Sequence, residues 1–267
     1  MKKELSTQNP YKKAINCKFN GAKAYLYELL HENKSENHLD FGAHDGELIM
    51  SLKKHDVISS GLGLDANNDV IQANSKHMLE DTKLELIKPN SSLQHNDNEF
   101  DSISIIGVIE HVVDQKKLIN ELYRVLKPGG FILVAAPGKH LFSFLDMGNW
   151  KFIFPTFHEW FTVLTKGRKF FEDKYSHNPN GLYGDVEVEK FWHEHFKKDD
   201  LKNLLMDCNL IIKDIDGFGF FNRILANTAF FTPKPIKKLF NKLIEIDALF
   251  FSSAEIWILA QKPDSQK

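Results

Sequence analysis

The chain has 267 residues, enough for one large α/β domain with insertions or for one domain and a small lid. Its 34 basic and 36 acidic residues leave a net charge of −2, which is no electrostatic footprint for nucleic acid. The polar start Met1-Lys2-Lys3-Glu4 has no apolar signal region, and no apolar run approaches the roughly 20 residues of a membrane span. Cys17 and Cys208 sit in unrelated contexts and read as two thiols of a reduced cytosol, so a cytoplasmic location is expected.

Residues 1–37 read as a polar N-terminus and a helical cap, with the helix over Ala22–Leu30, where apolar side chains fall at i, i+3 and i+4. The stretch His38-Leu39-Asp40-Phe41-Gly42-Ala43-His44-Asp45-Gly46 then predicts a short strand and a two-glycine turn, with a helix starting at Glu47. Gly42 and Gly46 allow dihedrals and close approaches that a Cβ would block. The amides of the helix start favour a negative group beyond the strand. A dinucleotide loop, G-x-G-x-x-G, needs glycine where this chain has His44, so a pyrophosphate would meet a side chain. Val57–Leu64 predicts a second strand with Asp65 at its tip, close to the roughly 20-residue spacing of a ribose-binding acid. Together the segments describe a crevice for a ligand with a ribose but no pyrophosphate. A plain strand-to-helix turn is the alternative.

Asn68–Met78 reads as a helix and Lys83–Ile87 as a third strand. A fourth strand opens at Phe100-Asp101 and runs into a turn carrying Glu110 and His111. Asp114–Leu126 is an amphipathic helix that Lys127-Pro128-Gly129-Gly130 should stop, before a fifth strand over Phe131–Ala136 closed by Pro137-Gly138. Strands alternating with helices give a parallel sheet with right-handed crossovers.

Five segments in this order carry a family resemblance: Leu39-Asp40-Phe41-Gly42 to Gly46, Asp65, Phe100-Asp101, Ile109-Glu110-His111-Val112, and Leu126-Lys127-Pro128-Gly129-Gly130. Over residues 38–138 the chain resembles the class I S-adenosylmethionine-dependent methyltransferases of the type 11 group, departing from them at His44. The resemblance implies a Rossmann-like α/β fold: a seven-stranded, mostly parallel sheet of order 3-2-1-4-5-7-6, strand seven antiparallel, helices on both faces. It implies S-adenosylmethionine as cofactor and S-adenosylhomocysteine as product. Asp40, Gly42, Ala43, His44 and Gly46 would face the methionine end, and Asp65 with Ala66 the ribose. Asn90 or Ser91 would meet the adenine edge, and Gly107 and Val108 the methionine arm. In one quinone-precursor branch of the group a Glu-His pair and an acid three residues earlier hold a divalent metal. That earlier position is Gly107 here, so the metal site is incomplete.

Residues 139–195 form an insertion where the family has a short link, and most of the 22 phenylalanines follow residue 140. An insertion starting beyond the fifth strand overhangs the ligand side of the sheet, so it reads as a substrate lid. The alternative is a small extra core or a homodimer contact. Residues 196–267 return to the core as a helix over Asp199–Met206, a strand over Leu210–Ile215, a helical excursion over Asn222–Phe250 and a last strand over Glu255–Gln261. If the acceptor is a hydroxyl, His140 is the first candidate base, with His111, Glu110 and His158 behind it. Asp146, Asn149, His158 and Tyr183 are candidate substrate contacts. His193-Glu194-His195 has the residue types of a metal site but lacks a third partner in the sequence, so structural histidines are expected. The segment 146–158 is similar in part to inserts in methyltransferases of bacterial surface-polysaccharide pathways. That likeness implies a sugar hydroxyl, including one on a nucleotide-linked sugar, as acceptor, with a small aromatic or quinone precursor as the alternative. An inactive methyltransferase-like binding subunit is the reading from a different class, and His44 disfavours a nicotinamide dehydrogenase.

Overall fold

The computed structural model describes residues 19–88, 91–146, 149–176, 193–230 and 232–264. Seven strands form one sheet: β1 (Ser35–Phe41), β2 (Ile58–Asp65), β3 (Thr82–Leu86), β4 (Phe100–Ile106), β5 (Leu126–Pro137), β6 (Ile211–Phe218) and β7 (Glu255–Gln261). Their order is β3-β2-β1-β4-β5-β7-β6, and β7 runs antiparallel to both neighbours. This is the expected topology. The order reverses between β1 and β4, so the carboxyl ends of these strands open the crevice where such sheets bind ligands.

Alternation along the strands supplies both faces of the sheet. Ile103, Ile105, Ile132 and Val134 point into a core with α4 (Gln115–Val125) and α8 (Lys198–Asp207). Leu133, Ala135 and Trp257 point the other way, against α1 (Gly21–Glu32) and α2 (Glu47–Lys54). Helices on both sides leave the parallel strands buried, as all-parallel segments require.

Two local expectations change. The helix after β2 is shorter than its sequence suggests: α3 covers Asn68–Asn74, and a tighter turn over Ser75–His77 finishes it. Asn67 caps α3 by accepting the amides of Asp69 and Val70. The Lys127-Pro128-Gly129-Gly130 segment does not precede β5 but lies within it. Leu126 already pairs with Phe100, the register shifts before Ser102, and Gly129 takes a φ of +77° at that irregularity.

The insertion carries α5 (Trp150–Ile153), α6 (Pro155–Lys166) and α7 (Arg168–Phe171). Trp150 and His158 are buried, but Phe152, Phe154, Phe157 and Trp160 remain exposed, so much of the aromatic content builds surface rather than an extra core. After β6 come α9 (Asn222–Phe230) and α10 (Lys234–Phe250). Among the described residues no helix is long and apolar enough to cross a membrane.

Candidate functional site

The crevice begins at the loop after β1. Gly42 and Gly46 sit at φ +83° and +75°, and His44 between them at +49°. A Cβ on Gly42 would lie 2.1 Å from Cγ2 of Val108, so only glycine lets β1 and the turn after β4 approach this closely. The amides of Gly42 and Ala43 donate to the Leu64 carbonyl at 2.7 and 3.0 Å, folding the loop over the end of β2. Asp65 fixes it there: His44 N–H donates to Oδ2 at 2.8 Å and Asn67 N–H to Oδ1 at 2.9 Å. Each carboxylate oxygen keeps a second lone pair, so Asp65 can hold the loop and still accept from a ribose diol. The His44 side chain is 73% exposed and leaves the crevice open. Ala66 is half-buried beside Asp65, and Ser91 is exposed, its hydroxyl donating to the Lys88 carbonyl. Asn90 lies outside the described residues.

Beneath the loop runs a buried polar ladder. The register sets His38 opposite Ser102 and Asp40 opposite Ser104, all on one face of β1 and β4. Ser104 donates to Asp40 Oδ1 at 2.6 Å, while the His38 ring lies 2.8 Å from Ser102 Oγ and 3.1 Å from Ser104 Oγ. Burial lowers His38 to about 3, so the ring is neutral and carries one proton. Ser104 spends its hydrogen on Asp40 and Ser102 donates to Ser35 Oγ at 2.7 Å, so each hydroxyl offers the His38 ring a lone pair, and the single ring N–H serves one of them. Asp40 ends this chain. Burial raises it to about 6 against the opposing Ser104 hydrogen bond and Lys23 charge. A buried carboxylate at the crevice floor is a partner for an ammonium group.

A second hollow opens at the tips of β4 and β5. It is a cavity of about 250 Å³ walled by Ile106, Ala135, Ala136, Pro137 and Ala254, with Gly107, Glu110, Asn222, Arg223 and Glu255 supplying the rest. Gly107 has φ +70°, and a Cβ there would meet nothing closer than Glu110 Oε1 at 3.8 Å, so its bare backbone borders open space. Burial raises Glu255 to about 7, a shift that the Ala22 N–H donated at 3.3 Å opposes and the nearby Glu110 charge reinforces.

Beside the cavity, Asp146 is buried among two histidines and an arginine. Its Oδ2 is 2.6 Å from His193 Nδ1, 2.9 Å from His195 Nε2 and 3.1 Å from Arg223 Nη1. Burial alone would raise this carboxyl, but those three neighbours hold it well below the usual carboxylate range. Burial would lower His193, yet Asp146 and Glu110 raise it to about 9. The sequence pattern gave His193 and His195 no third partner; Asp146, 47 residues before His193, is that partner. Arg223 and Glu255 were not foreseen. The one signal for Arg223 is the scarcity of arginine in a lysine-rich chain.

The predicted substrate and base residues separate. Asn149 is fully buried and clamps His193, donating from Nδ2 to its carbonyl at 2.8 Å and accepting its N–H at 2.9 Å. His158 packs edge-on to Tyr175 within the insertion, with burial and Lys151 lowering its pKa. Tyr183 lies outside the described residues. His140 accepts the Phe142 amide on Nδ1 at 3.3 Å, so its neutral ring presents an N–H at Nε2 rather than a lone pair. Burial, Arg223 and His195 lower it to about 4, which makes it a weak base. Glu110 and His111 lie at the cavity end of β4, with Glu110 only 3% exposed.

The residues present fit an adenosyl amino acid: a loop that only glycine permits, an acid at the tip of β2 with spare lone pairs, and a buried carboxylate suited to an amine. Known proteins agree. A mitochondrial ubiquinone biosynthesis O-methyltransferase of Dictyostelium discoideum is 33% identical over 123 residues, 41% of this chain and 38% of that protein. A ubiquinone/menaquinone biosynthesis C-methyltransferase of Haemophilus ducreyi is 35% identical over 82 residues, 31% of this chain and 26% of that one. The matches thus span less than half the length of either relative. Among solved structures, the complex between the Haloferax volcanii Trm112 methyltransferase activator and a methyltransferase aligns with TM-score 0.57 at 13% identity, covering 92% of this chain and 90% of that one. An S-adenosylmethionine-dependent methyltransferase of Mesorhizobium loti aligns with TM-score 0.53 at 14% identity, covering 90% and 97%. At these identities the structures establish the fold. A family model described as a methyltransferase domain matches residues 17–171, more than half of the chain. The chain belongs to that methyltransferase-domain family, as an S-adenosylmethionine-dependent enzyme.

Proposed function

We propose that the chain is an O-methyltransferase acting on a small aromatic hydroxyl of the quinone-precursor kind. The observation that carries this reading is the cavity at the tips of β4 and β5, apolar along Ile106, Ala135, Ala136, Pro137 and Ala254 and edged by Glu110, Asn222, Arg223 and Glu255. Its volume of about 250 Å³ suits one substituted ring better than a nucleotide-linked sugar; an apolar cavity of about 150 Å³ already admits a benzene. The named relatives act in ubiquinone and menaquinone biosynthesis, which supports an aromatic acceptor over the sugar implied by the insertion.

S-adenosylmethionine supplies a methyl group on a sulfonium, which leaves as the neutral thioether. The loop at Gly42–Gly46, with Asp40 and Asp65, holds and orients that donor, and such positioning can be worth roughly 7–11 kcal/mol. Glu110 Oε2 is buried without a hydrogen-bond partner. It would take the acceptor's hydroxyl proton, leaving the oxygen free to receive the methyl group that the bound cofactor would supply.

The test has two stages. S-adenosylhomocysteine should raise the unfolding midpoint while NAD leaves it unchanged. Methyl transfer should then be followed with catechols, hydroquinones and nucleotide-linked sugars. Turnover on the phenolic arm, reduced roughly 10²–10⁴-fold by Glu110→Gln with S-adenosylhomocysteine binding retained, supports the reading. Turnover confined to the sugar arm overturns it.

A further inference from the structure

We infer that the outward face of α10 is a docking surface for an anionic lipid bilayer, on which the helix lies flat with its apolar stripe in the interface and its lysines at the headgroups.

The first observation is the stripe. Ile236, Leu239, Leu243, Ile246 and Phe250 are all exposed, Leu239 by 58% and Phe250 by 75%. Their spacing alternates between three and four residues, which puts them on one side of a helix that turns about 100° per residue. Leu249 and Phe251 are exposed too and widen the stripe at its C-terminal end. A row of outward apolar side chains along a whole helix marks an interaction site, whereas the same residues scattered singly would not.

The second observation is that the helix is pinned with this side out. Asp247 is buried and accepts the amide of Phe220 on Oδ2 at 2.9 Å and that of Phe221 on Oδ1 at 3.1 Å. α10 meets α9 and β6, and the side it turns inward carries buried Ala248 with half-buried Phe240 and Ile244. Rolling the helix to hide the stripe would break the Asp247 hydrogen bonds and expose this inner side instead.

The third observation is charge. Lys237, Lys238 and Lys242 are exposed, and Lys238 and Lys242 border the stripe one turn apart. The one exposed acid of the helix, Glu245, lies farther round from the stripe. Lysines beside an outward apolar stripe are the composition of helices that lie in a bilayer interface, where they attract anionic headgroups. Their long stems cover apolar surface while the ammonium groups stay in water. A second copy of the chain fits worse, because a two-fold partner would set the same lysine borders against each other. With 17 residues and these charges α10 is not long and apolar enough to cross a membrane, which leaves the flat orientation.

The full chain is mixed with vesicles of phosphatidylcholine alone or of equal parts phosphatidylcholine and phosphatidylglycerol, and binding is read by flotation. Expected is binding to the anionic vesicles only, weakening as salt rises. The triple variant Leu239→Ser, Leu243→Ser, Ile246→Ser should weaken it at least about tenfold, and the double variant Lys238→Glu, Lys242→Glu roughly 10–100-fold. The same charge change made elsewhere, Lys54→Glu with Lys116→Glu on α2 and α4, should leave it within about twofold. The unfolding midpoint of every variant is measured, so loss of fold is seen separately from loss of docking. Light scattering of the free chain reports self-association. No binding to anionic vesicles by the folded chain, equal binding to neutral ones, or equal losses in the two charge variants overturns the proposal. So does a dimer in place of vesicle binding that the triple serine variant dissociates.

Discussion

At the tips of β1 and β2 the crevice is made of backbone: two glycines at positive φ, amides on Leu64 and Asp65, and a carboxylate that ties the turn. At the tips of β4 and β5 the hollow is made of side chains from distant segments: Glu110 after β4, Asp146 in the insertion, His193 beyond it, Arg223 on α9 and Glu255 on β7. Backbone sites tolerate little change, because the chain path is the site. Side-chain sites can be altered one group at a time, each at its own electrostatic cost. On the proposed reading, the first hollow selects the donor and the second the acceptor.

The largest expected effect comes from breaking the backbone half. Gly42→Ala forces a Cβ to 2.1 Å from Val108 at a φ of +83°. It should destabilise the fold by about 1–3 kcal/mol and weaken S-adenosylhomocysteine binding more than tenfold, as read by calorimetry. Gly107→Ala is the contrast: its Cβ meets only Glu110 Oε1 at 3.8 Å. It should cost roughly 1 kcal/mol of strain, keep the cofactor, and raise the acceptor KM by narrowing the cavity. Similar cofactor losses for both would erase the distinction between the two hollows.

A smaller effect tests the side-chain half. Glu255 has a folded pKa near 7, above its unfolded 4.5, because burial penalises its charge. The native state keeps this proton longer, so the stability contributed by the neutral acid is full below about 4.5 and is lost as pH rises to 7. Glu255→Gln keeps an oxygen for the Ala22 amide and removes the titration. Urea unfolding should show the variant more stable by roughly 2 kcal/mol at pH 8, with the gain shrinking through that window and vanishing below it. A gain independent of pH would place the cause elsewhere.

The same contrast explains what could be read from the sequence. Leu39–Gly46, Asp65 and the Glu110 turn are local patterns whose spacing reflects strand-loop-helix geometry, and they located the sheet order and the crevice proposed for the donor. Asp146 and His193 meet across 47 residues, with Arg223 and Glu255 farther along still, and no local period records such a meeting. What weakens the candidate base His140 is visible only in three dimensions: the Phe142 amide takes its Nδ1 lone pair, and burial with Arg223 nearby lowers its pKa. Gly129 misled in the opposite direction. Its Pro-Gly-Gly context signals a stop, but pairing between Leu126 and Phe100 absorbs the irregularity into β5.

The smallest effect concerns His44, where the chain departs from glycine. Its φ of +49° is a left-handed conformation that a Cβ makes unfavourable, and its side chain is 73% exposed. What the loop uses is the amide donated to Asp65, which any residue supplies. His44→Gly should therefore relieve strain, offset in part by the greater freedom of glycine in the unfolded chain, for a net gain of about 0.5 kcal/mol. S-adenosylhomocysteine affinity should stay within about twofold, because the hydrogen-bonding backbone is unchanged. A loss of tenfold or more would mean that the imidazole itself touches the cofactor. The backbone description of this crevice would then be incomplete at the loop position where His44 stands in place of the expected glycine.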